Sequence, residues 1–437
     1  MLPALDHTAA RHLDTEFENA ARWGALGPVV LFIVGTRPEA IKMLPVITAF
    51  RERRRSRVVV VSTGQHAGLV REVLALGGIR PDVEFPELAT GRTLNAMFAH
   101  VTKCMDDYLR TTFPSEPGHP DFPVAALVHG DTTSAAAAAL ACFQSHIPIG
   151  HVEAGLRTGD TLSPFPEELN RQLIARIATA HFAPTAVNFE NLVREGVPMS
   201  RIFVTGNTAI DALLSVAALR TPYSDPRLEE LDATATGPIV VVTAHRRESW
   251  GDGLRSIATG VRELAELYPH ARIVVPLHPN PSVRATLSEI LAGIPNVLLT
   301  EPLEYAQFAR LLGRATVVVT DSGGIQEEAP ALGVPVIVTR ETTERTEGID
   351  AGTLELVGTD AARIVAAVRR LLDDADEYRY RSTRANPYGD GHAAERIALA
   401  SEHIVFGTEL PQPFQLTLDR GRVLRSVGRA DGTRHAA

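Results

Sequence analysis

Three short polar segments between His129 and Arg171 carry the residue types that acid/base chemistry needs. They are His129-Gly130-Asp131-Thr132, His151-Val152-Glu153-Ala154-Gly155-Leu156-Arg157 and Ser163-Pro164-Phe165-Pro166-Glu167-Glu168-Leu169-Asn170-Arg171. Carboxylates gathered in one partly dry place push one another's pKa values apart, so that one holds a proton while another accepts one. That division of labour is what general acid/base catalysis requires. Any one of Asp131, Glu153 and Glu167 alone reads equally well as a helix cap or a helix-start carboxylate. All three in so short a span read as a site.

The elements that must position them follow from the flanking residues. Val124–Val128 and Ile147–Ile149 are apolar runs of the length of buried parallel strands, so Asp131 and Glu153 are expected at neighbouring carboxyl ends of one sheet. Ligands bind there in α/β folds. In the third segment Ser163 is placed to cap a helix, and Pro164 and Pro166 suit its first turn. Glu167 and Glu168 then fall at the positive end of its dipole, with Arg171 four residues beyond Glu167 on the same face.

Strand-like runs alternate with helical segments along the chain: Val29–Val34, Val58–Ser62, Val124–Val128, Ile202–Val204, Ile239–Thr243, Ile273–Pro276, Val297–Leu299, Thr316–Thr320 and Val336–Val338. This is the grammar of the α/β class, with doubly wound parallel sheets. A chain of 437 residues exceeds one ordinary core. Two Rossmann-like domains are expected with a cleft between them, over residues 28–206 and 207–385. The first ends near Thr205-Gly206-Asn207-Thr208, and Asn386-Pro387-Tyr388-Gly389-Asp390-Gly391 breaks the chain before a final helix. That helix, residues 386–406, is expected to cross back to the first domain. Residues 1–27 form an extension and residues 407–437 a weakly ordered tail.

Each half carries a strand-turn-helix segment suited to an anion. In the first, Val29–Val34 runs into Gly35-Thr36-Arg37-Pro38-Glu39-Ala40-Ile41-Lys42, which directs Arg37 and Lys42 to the helix mouth. In the second, Thr316–Thr320 runs into Asp321-Ser322-Gly323-Gly324-Ile325-Gln326-Glu327-Glu328. Ser322, Gly323 and Gly324 are placed to offer backbone N–H groups to a diphosphate. Glu328, roughly 6 Å further along the helix axis, reaches the hydroxyls of an attached ribose. His245, at a strand end in Thr243-Ala244-His245-Arg246-Arg247-Glu248-Ser249, is placed as a cation beside a leaving phosphate. His278 reads as a loop-ordering residue.

The formal net charge of -9 argues against nucleic acid as the main partner. The arginines between Arg51 and Arg57 read as a solvated helix C-terminus. Cys104 and Cys142 make neither a disulfide framework nor a metal spacing, which fits a reducing cytoplasm. Residues 1–27 have no apolar core of a secretory signal, and no run is long enough to span a bilayer. No membrane partner is expected.

From Gly35 to about Arg396 the chain resembles the non-hydrolysing UDP-N-acetylglucosamine 2-epimerases. The likeness rests on Gly35–Lys42, His129–Thr132, His151–Thr158, Pro164–Glu168, His245–Ser249, Asp321–Glu328 and Asn386–Gly391. It implies a glycosyltransferase-B-like fold, a UDP-sugar substrate, a homodimer, and neither cofactor nor metal. It also implies anti elimination of UDP to a 2-acetamidoglucal, then syn re-addition with the proton returned on the other face, interconverting UDP-N-acetylglucosamine and UDP-N-acetylmannosamine. Carried over by motif, Asp131, Glu153 and Glu167 would be the acid/base and charge-stabilising group. Arg37, Lys42 and His245 would hold or activate the diphosphate, with Gln65 and Arg171 also on the substrate. Ser322, Gly323, Gly324 and Glu328 would bind phosphate and ribose. Three departures stand out: Ala67 and Gly68 where the family carries Arg and then Gln or Glu in a loop for a second, activating substrate; Ala244 for a Gly; and Thr346 for a Pro. The competing readings are a hydrolysing epimerase releasing N-acetylmannosamine and UDP, a glycosyltransferase, and a silent nucleotide-sugar-binding regulator.

Overall fold

The computed structural model describes residues 27–88, 93–234 and 237–414, with the side chain of Arg247 left aside. The expected N-terminal extension, apart from Gly27, and the tail beyond residue 414 lie outside the described residues. Two compact units form, one from the chain up to Ala212 together with the chain from Gly391 on, the other from Leu213 to Asp390.

In the first unit the strands β1 (Val29–Val34), β2 (Arg57–Ser62), β3 (Val83–Glu84), β4 (Pro123–His129), β5 (Ile149–Val152), β6 (Ala180–Ala183) and β7 (Ile202–Val204) make one sheet in the order β3-β2-β1-β4-β5-β6-β7. Every pairing is parallel. Strand order therefore reverses direction between β1 and β4, and the crevice outside their carboxyl ends is where such a sheet offers room for a ligand. The helices around it are α1 (Arg37–Arg53), α2 (Ala67–Ala75), α3 (Leu94–Thr112), α4 (Thr133–Gln144), α5 (Glu167–Ile177), α6 (Ala186–Arg194), α7 (Thr208–Ala218), which continues into the second unit, and the last helix of the described chain, Ala393–Phe406.

Small residues set the closeness of this packing. α4 buries Ala135 to Ala139 against the sheet. A Cβ on Gly35 would lie 2.2 Å from Ser134 Oγ, so only glycine lets the end of β1 approach the first turn of α4. On the other face Phe32 and Phe50 meet edge-on at 5.0 Å under α1, each side chain burying apolar area worth about 1.5–3 kcal/mol. The helix Ala393–Phe406 packs on this face through Ala394, Ile397 and Ala400. Asp211 caps it through the backbone N–H groups of Ala393 and Ala394, at 3.2 and 2.8 Å. Arg53 grips its Glu402 with two hydrogen bonds of 2.7 and 2.8 Å.

In the second unit β8 (Ile239–Thr243), β9 (Arg272–Pro276), β10 (Val297–Thr300), β11 (Val317–Thr320), β12 (Val336–Val338) and β13 (Leu354–Leu356) form a parallel sheet ordered β10-β9-β8-β11-β12-β13. Its switch point lies between β8 and β11. The helices are α8 (Pro226–Thr234), α9 (Asp252–Leu267), α10 (Pro281–Leu291), α11 (Tyr305–Arg314), α12 (Gly323–Glu328), α13 (Thr346–Ala351), α14 (Ala361–Asp373) and α15 (Ala375–Ser382), so that Ala393–Phe406 becomes α16.

Two local expectations are corrected. The strand foreseen at Ile147–Ile149 starts at Ile149 and runs on to Val152, because His146 takes a left-handed turn (φ 60) and Pro148 has no N–H to give the ladder. Ser163 does not cap α5, which begins later, at Glu167, with Pro166 at the cap position.

Candidate active site

The carboxyl ends of β4 and β5 lie side by side, with His129 paired to Val152. Asp131 and Glu153 thus emerge from adjacent strands of the same sheet. Glu153 is held in the left-handed region (φ 63), a conformation that costs a non-glycine residue of order 1 kcal/mol and that recurs at functional sites. Two residues on, Gly155 (φ 91) would place a Cβ 2.2 Å from the carbonyl oxygen of Asn188, so the loop folds tightly against α6.

One oxygen of Glu153, Oε2, takes the Lys42 ammonium and also lies 3.2 Å from His129 Nε2. The His129 contact has the distance of an ion pair but lacks hydrogen-bond alignment, and Nε2 has no hydrogen-bond partner among the described residues. Burial pushes the Glu153 carboxyl up, but the charges of Lys42 and His129 outweigh burial and hold it well below the ordinary carboxylate range. Lys42 therefore reaches across to β5, and the mouth of α1 is filled by something the sequence reading did not assign. The carboxylate of Glu39 accepts from the N–H groups of Gly35 and Thr36 at 2.8 and 2.6 Å, and from Thr132 Oγ1 at 2.6 Å. Its pKa is raised by burial. An internal carboxylate thus takes up the donors that Gly35 and Thr36 would otherwise offer to an anion. Arg37 is half-buried at the first position of α1.

Arg171 bridges two carboxylates. It donates to Asp131 Oδ2 at 2.8 Å through Nε and to Glu168 Oε2 at 3.0 Å. Arg171 pairs with Glu168, three residues earlier, and not with Glu167, four residues earlier on the same helix. Glu168 is fully buried and also accepts from the backbone of Thr158 (3.1 Å) and Gly159 (3.4 Å), which makes it an organiser of the loop after β5. Asn170 Nδ2 ties the Asp131 carbonyl down at 2.8 Å. Glu167 is half-buried and makes no hydrogen bond or ion pair with its side chain among the described residues. Thr132, not Asp131, caps α4. Gln65 is half-buried, and its Oε1 is a buried acceptor without a partner among the described residues; Ala67 and Gly68 beside it open α2.

Beneath these groups lie two buried histidines paired across β5 and β6, His151 and His181. Burial lowers their pKa values to about 3 and about 4 respectively. His151 Nε2 sits 2.8 Å from the Gly130 carbonyl, which pins the turn before Asp131. Both rings stay neutral in the fold but would protonate near 6.5 in the unfolded chain, so the unfolded state binds more protons between about pH 6.5 and about pH 3. Stability is expected to fall as pH drops through that window. Thermal melts from pH 7 to 4.5 check this, with His181→Leu flattening the slope; an unchanged slope in that variant would sink the assignment.

The second unit repeats the switch-point logic. His245 and Arg246 follow β8, and both donate their backbone N–H to Asp321 Oδ2 at 2.8 Å from the end of β11. His245 Nδ1 lies 3.2 Å from Asp321 Oδ1, again at ion-pair distance without hydrogen-bond alignment. Burial raises the Asp321 carboxyl, but these neighbours outweigh it and leave the pKa lowered. With Nδ1 facing Asp321, the imidazole presents Nε2 outward from a half-exposed ring. His278 stacks on it, centroids 5.2 Å apart and planes 10° apart, while its Nδ1 lies 3.1 Å from the Asn280 N–H and so also orders its loop. Ala244 is buried and does not take the left-handed backbone, so its methyl group is accommodated there without strain.

Ser322 stands at the cap of α12, though its N–H is already bound to Thr320 Oγ1 at 3.0 Å. Gly324 is exposed with open space beside it, and Gly323 lies against the guanidinium of Arg345. Arg345 in turn donates to Glu327 at 2.9 Å. Its carbonyl accepts from Tyr388, and Asn386 Nδ2 donates to the Glu327 carbonyl, so the Asn386–Gly391 segment braces this turn. Glu328, half-buried, lies close enough to Tyr305 to raise that phenol further, burial being the larger cause. Thr346 is the first residue of α13, where proline is also favoured, so the departure costs the helix start little.

A family model described as UDP-N-acetylglucosamine 2-epimerase matches residues 48–401. The chain belongs to the UDP-N-acetylglucosamine 2-epimerase family. The UDP-N-acetylglucosamine 2-epimerase of Salmonella typhimurium is 46% identical over 377 residues, covering 85% of this chain and 97% of that protein. A crystal structure from Listeria monocytogenes superposes with TM-score 0.82 at 41% identity, covering 89% of this chain and 100% of that one. The Neisseria meningitidis UDP-GlcNAc 2-epimerase bound to UDP-GlcNAc superposes with TM-score 0.72 at 39% identity, covering 84% and 98%. The α/β class, the glycosyltransferase-B-like two-domain fold and an epimerase activity on a nucleotide sugar follow from these likenesses. Among the described residues no helix is long and apolar enough to cross a membrane.

Proposed function

We propose that this epimerase interconverts UDP-N-acetylglucosamine and UDP-N-acetylmannosamine without hydrolysis, by anti elimination of UDP and syn re-addition to the 2-acetamidoglucal. The proton on the acetamido-bearing carbon is not acidic, so its removal has to be coupled to departure of the diphosphate. The observation that carries the reading is the pair of carboxylates at the ends of β4 and β5, Asp131 held by Arg171 and Glu153 by Lys42 and His129. Two carboxylates in unlike surroundings suit the acid and base roles, and Glu167, whose side chain has no hydrogen bond or ion pair among the described residues, is suited to join them. In the second unit His245, backed by Asp321, has the placement to stabilise a leaving phosphate as an imidazolium. The first turn of α12 and Glu328 suit the diphosphate and ribose. The Neisseria meningitidis relative, solved with UDP-GlcNAc, supports the substrate. We take the working unit to be a homodimer in the cytoplasm.

Proton NMR of the purified protein with UDP-N-acetylglucosamine in D₂O tests this. UDP-N-acetylmannosamine carrying deuterium at the epimerised carbon is the expected product. Free N-acetylmannosamine with UDP would replace the proposal by the hydrolysing reaction, and absence of any exchange would overturn the substrate.

A further inference from the structure

We propose that His129 is the positioning residue of Glu153: from β4 it fixes carboxylate oxygen Oε2 and leaves Oε1 as the one oxygen presented to the substrate. The inference rests on the reading of Glu153 as a reacting carboxylate.

Both cationic partners of Glu153 converge on the same atom, Oε2. Oε1 carries no hydrogen bond or ion pair among the described residues. A carboxylate gripped at one oxygen has its plane and its free lone pairs aimed by the grip, and a misplacement of about 1 Å in such a group costs a reaction about 10²-fold. The two partners are not equivalent. Lys42 is a flexible point charge whose side chain is 23% exposed, and its ammonium is attracted to any phosphate brought near it. A lysine drawn toward phosphate loosens its hold on Glu153. The imidazole of His129 is 5% exposed and hangs from the end of a strand whose register with β5 pairs His129 with Val152, the residue before Glu153. It keeps the carboxylate aimed while Lys42 responds to charge.

The surrounding charges favour this role. Glu39 on α1 is close enough to feel the His129 charge, and His151 on β5 feels it as well. His129 therefore stands between a buried, structural carboxylate and a reacting one, with Lys42 as the other cation. Its Nε2, buried and without an aligned acceptor, turns onto Glu153 Oε2 by a small rotation of the ring. No part of the sequence pattern pointed to this pairing, since His129 and Glu153 are neighbours only through the β4–β5 register.

The test compares His129→Gln, whose amide reaches the place of Nε2, with His129→Asn, which is polar but too short. The Asn variant is expected to lose about 10²-fold in kcat with KM within about twofold, while the Gln variant retains turnover within about tenfold of the wild type. The acid limb of kcat/KM should move to higher pH in the Asn variant, because Glu153 loses a cation that holds it ionised, and remain nearer the wild type in the Gln variant. A merely space-filling histidine would give equal losses in both variants and no shift of the limb, and that result overturns the proposal. A fold lost in the Asn variant but kept in the Gln variant, seen by circular dichroism, would equally assign His129 to packing and overturn it. Glu153→Gln, run alongside, separates the two readings. Full turnover there removes Glu153 itself from the chemistry, whereas a dead Glu153→Gln beside an unaffected His129→Asn sinks this inference alone.

Discussion

Arg171→Met is expected to destabilise the first unit by about 3–5 kcal/mol, because it removes one partner of a buried charge cluster and leaves the other charges in place. The side chain of Arg171 is only 9% exposed, and the Glu168 side chain it pairs with is not exposed at all. Glu168 would retain the N–H groups of Thr158 and Gly159 and the amide of Gln172, but no cation. Against a total stability of about 5–15 kcal/mol for a domain, that loss is large enough to shift a urea midpoint by much of its range. Arg171→Lys should fall between, since a compact ammonium cannot reach Asp131 and Glu168 together as the forked guanidinium does. In the double variant Arg171→Met with Glu168→Gln the damage should be less than the sum, because the stranded charge is gone. A midpoint in Arg171→Met within about 1 kcal/mol of the wild type would show that the cluster is solvated in solution, and the structural role given to Glu168 would fail.

The pattern of this outcome shows what the sequence could convey. Parallel strands such as Val29–Val34 and Ile239–Thr243 are buried on both faces, and their unbroken β-branched runs made them legible. Ala180–Ala183 and Leu354–Leu356 were missed, since three or four residues including Ala, His or Glu give no periodic signal. The placement of Asp131 beside Glu153 followed from two strand ends and needed no side-chain information. Which neighbour each carboxylate takes was not legible in the same way. Glu167 and Glu168 are adjacent and chemically alike, and the start of α5 decides which faces inward; that start lies at Glu167 rather than near Ser163. Glu39 was given no role in the sequence, yet its buried carboxylate caps its own helix and anchors Thr132. Asp321 preceded the glycine turn without a role, until the pairing of β8 with β11 placed it behind His245. Contacts that depend on register between strands distant in sequence are the ones that local patterns leave open.

Asp131→Asn and Glu153→Gln are each expected to lower kcat by about 10³-fold or more while UDP affinity changes by less than about threefold. Each substitution keeps shape and hydrogen-bonding capacity while removing a proton acceptor, so a loss confined to kcat marks a group needed in the transition state. The nucleotide is expected to be held by Ser322, Gly323, Gly324 and Glu328, which belong to the second unit, and calorimetric titration of UDP should therefore read nearly the same in all three proteins. The two variants should differ in stability. Asn at position 131 leaves Arg171 still paired to Glu168. Gln at position 153 removes the carboxylate that both Lys42 and His129 face and leaves those two side chains without their common acceptor, so the Glu153→Gln protein should melt lower than Asp131→Asn. Turnover within tenfold of the wild type in either variant would remove that carboxylate from the reaction and leave Glu167 as the group to examine.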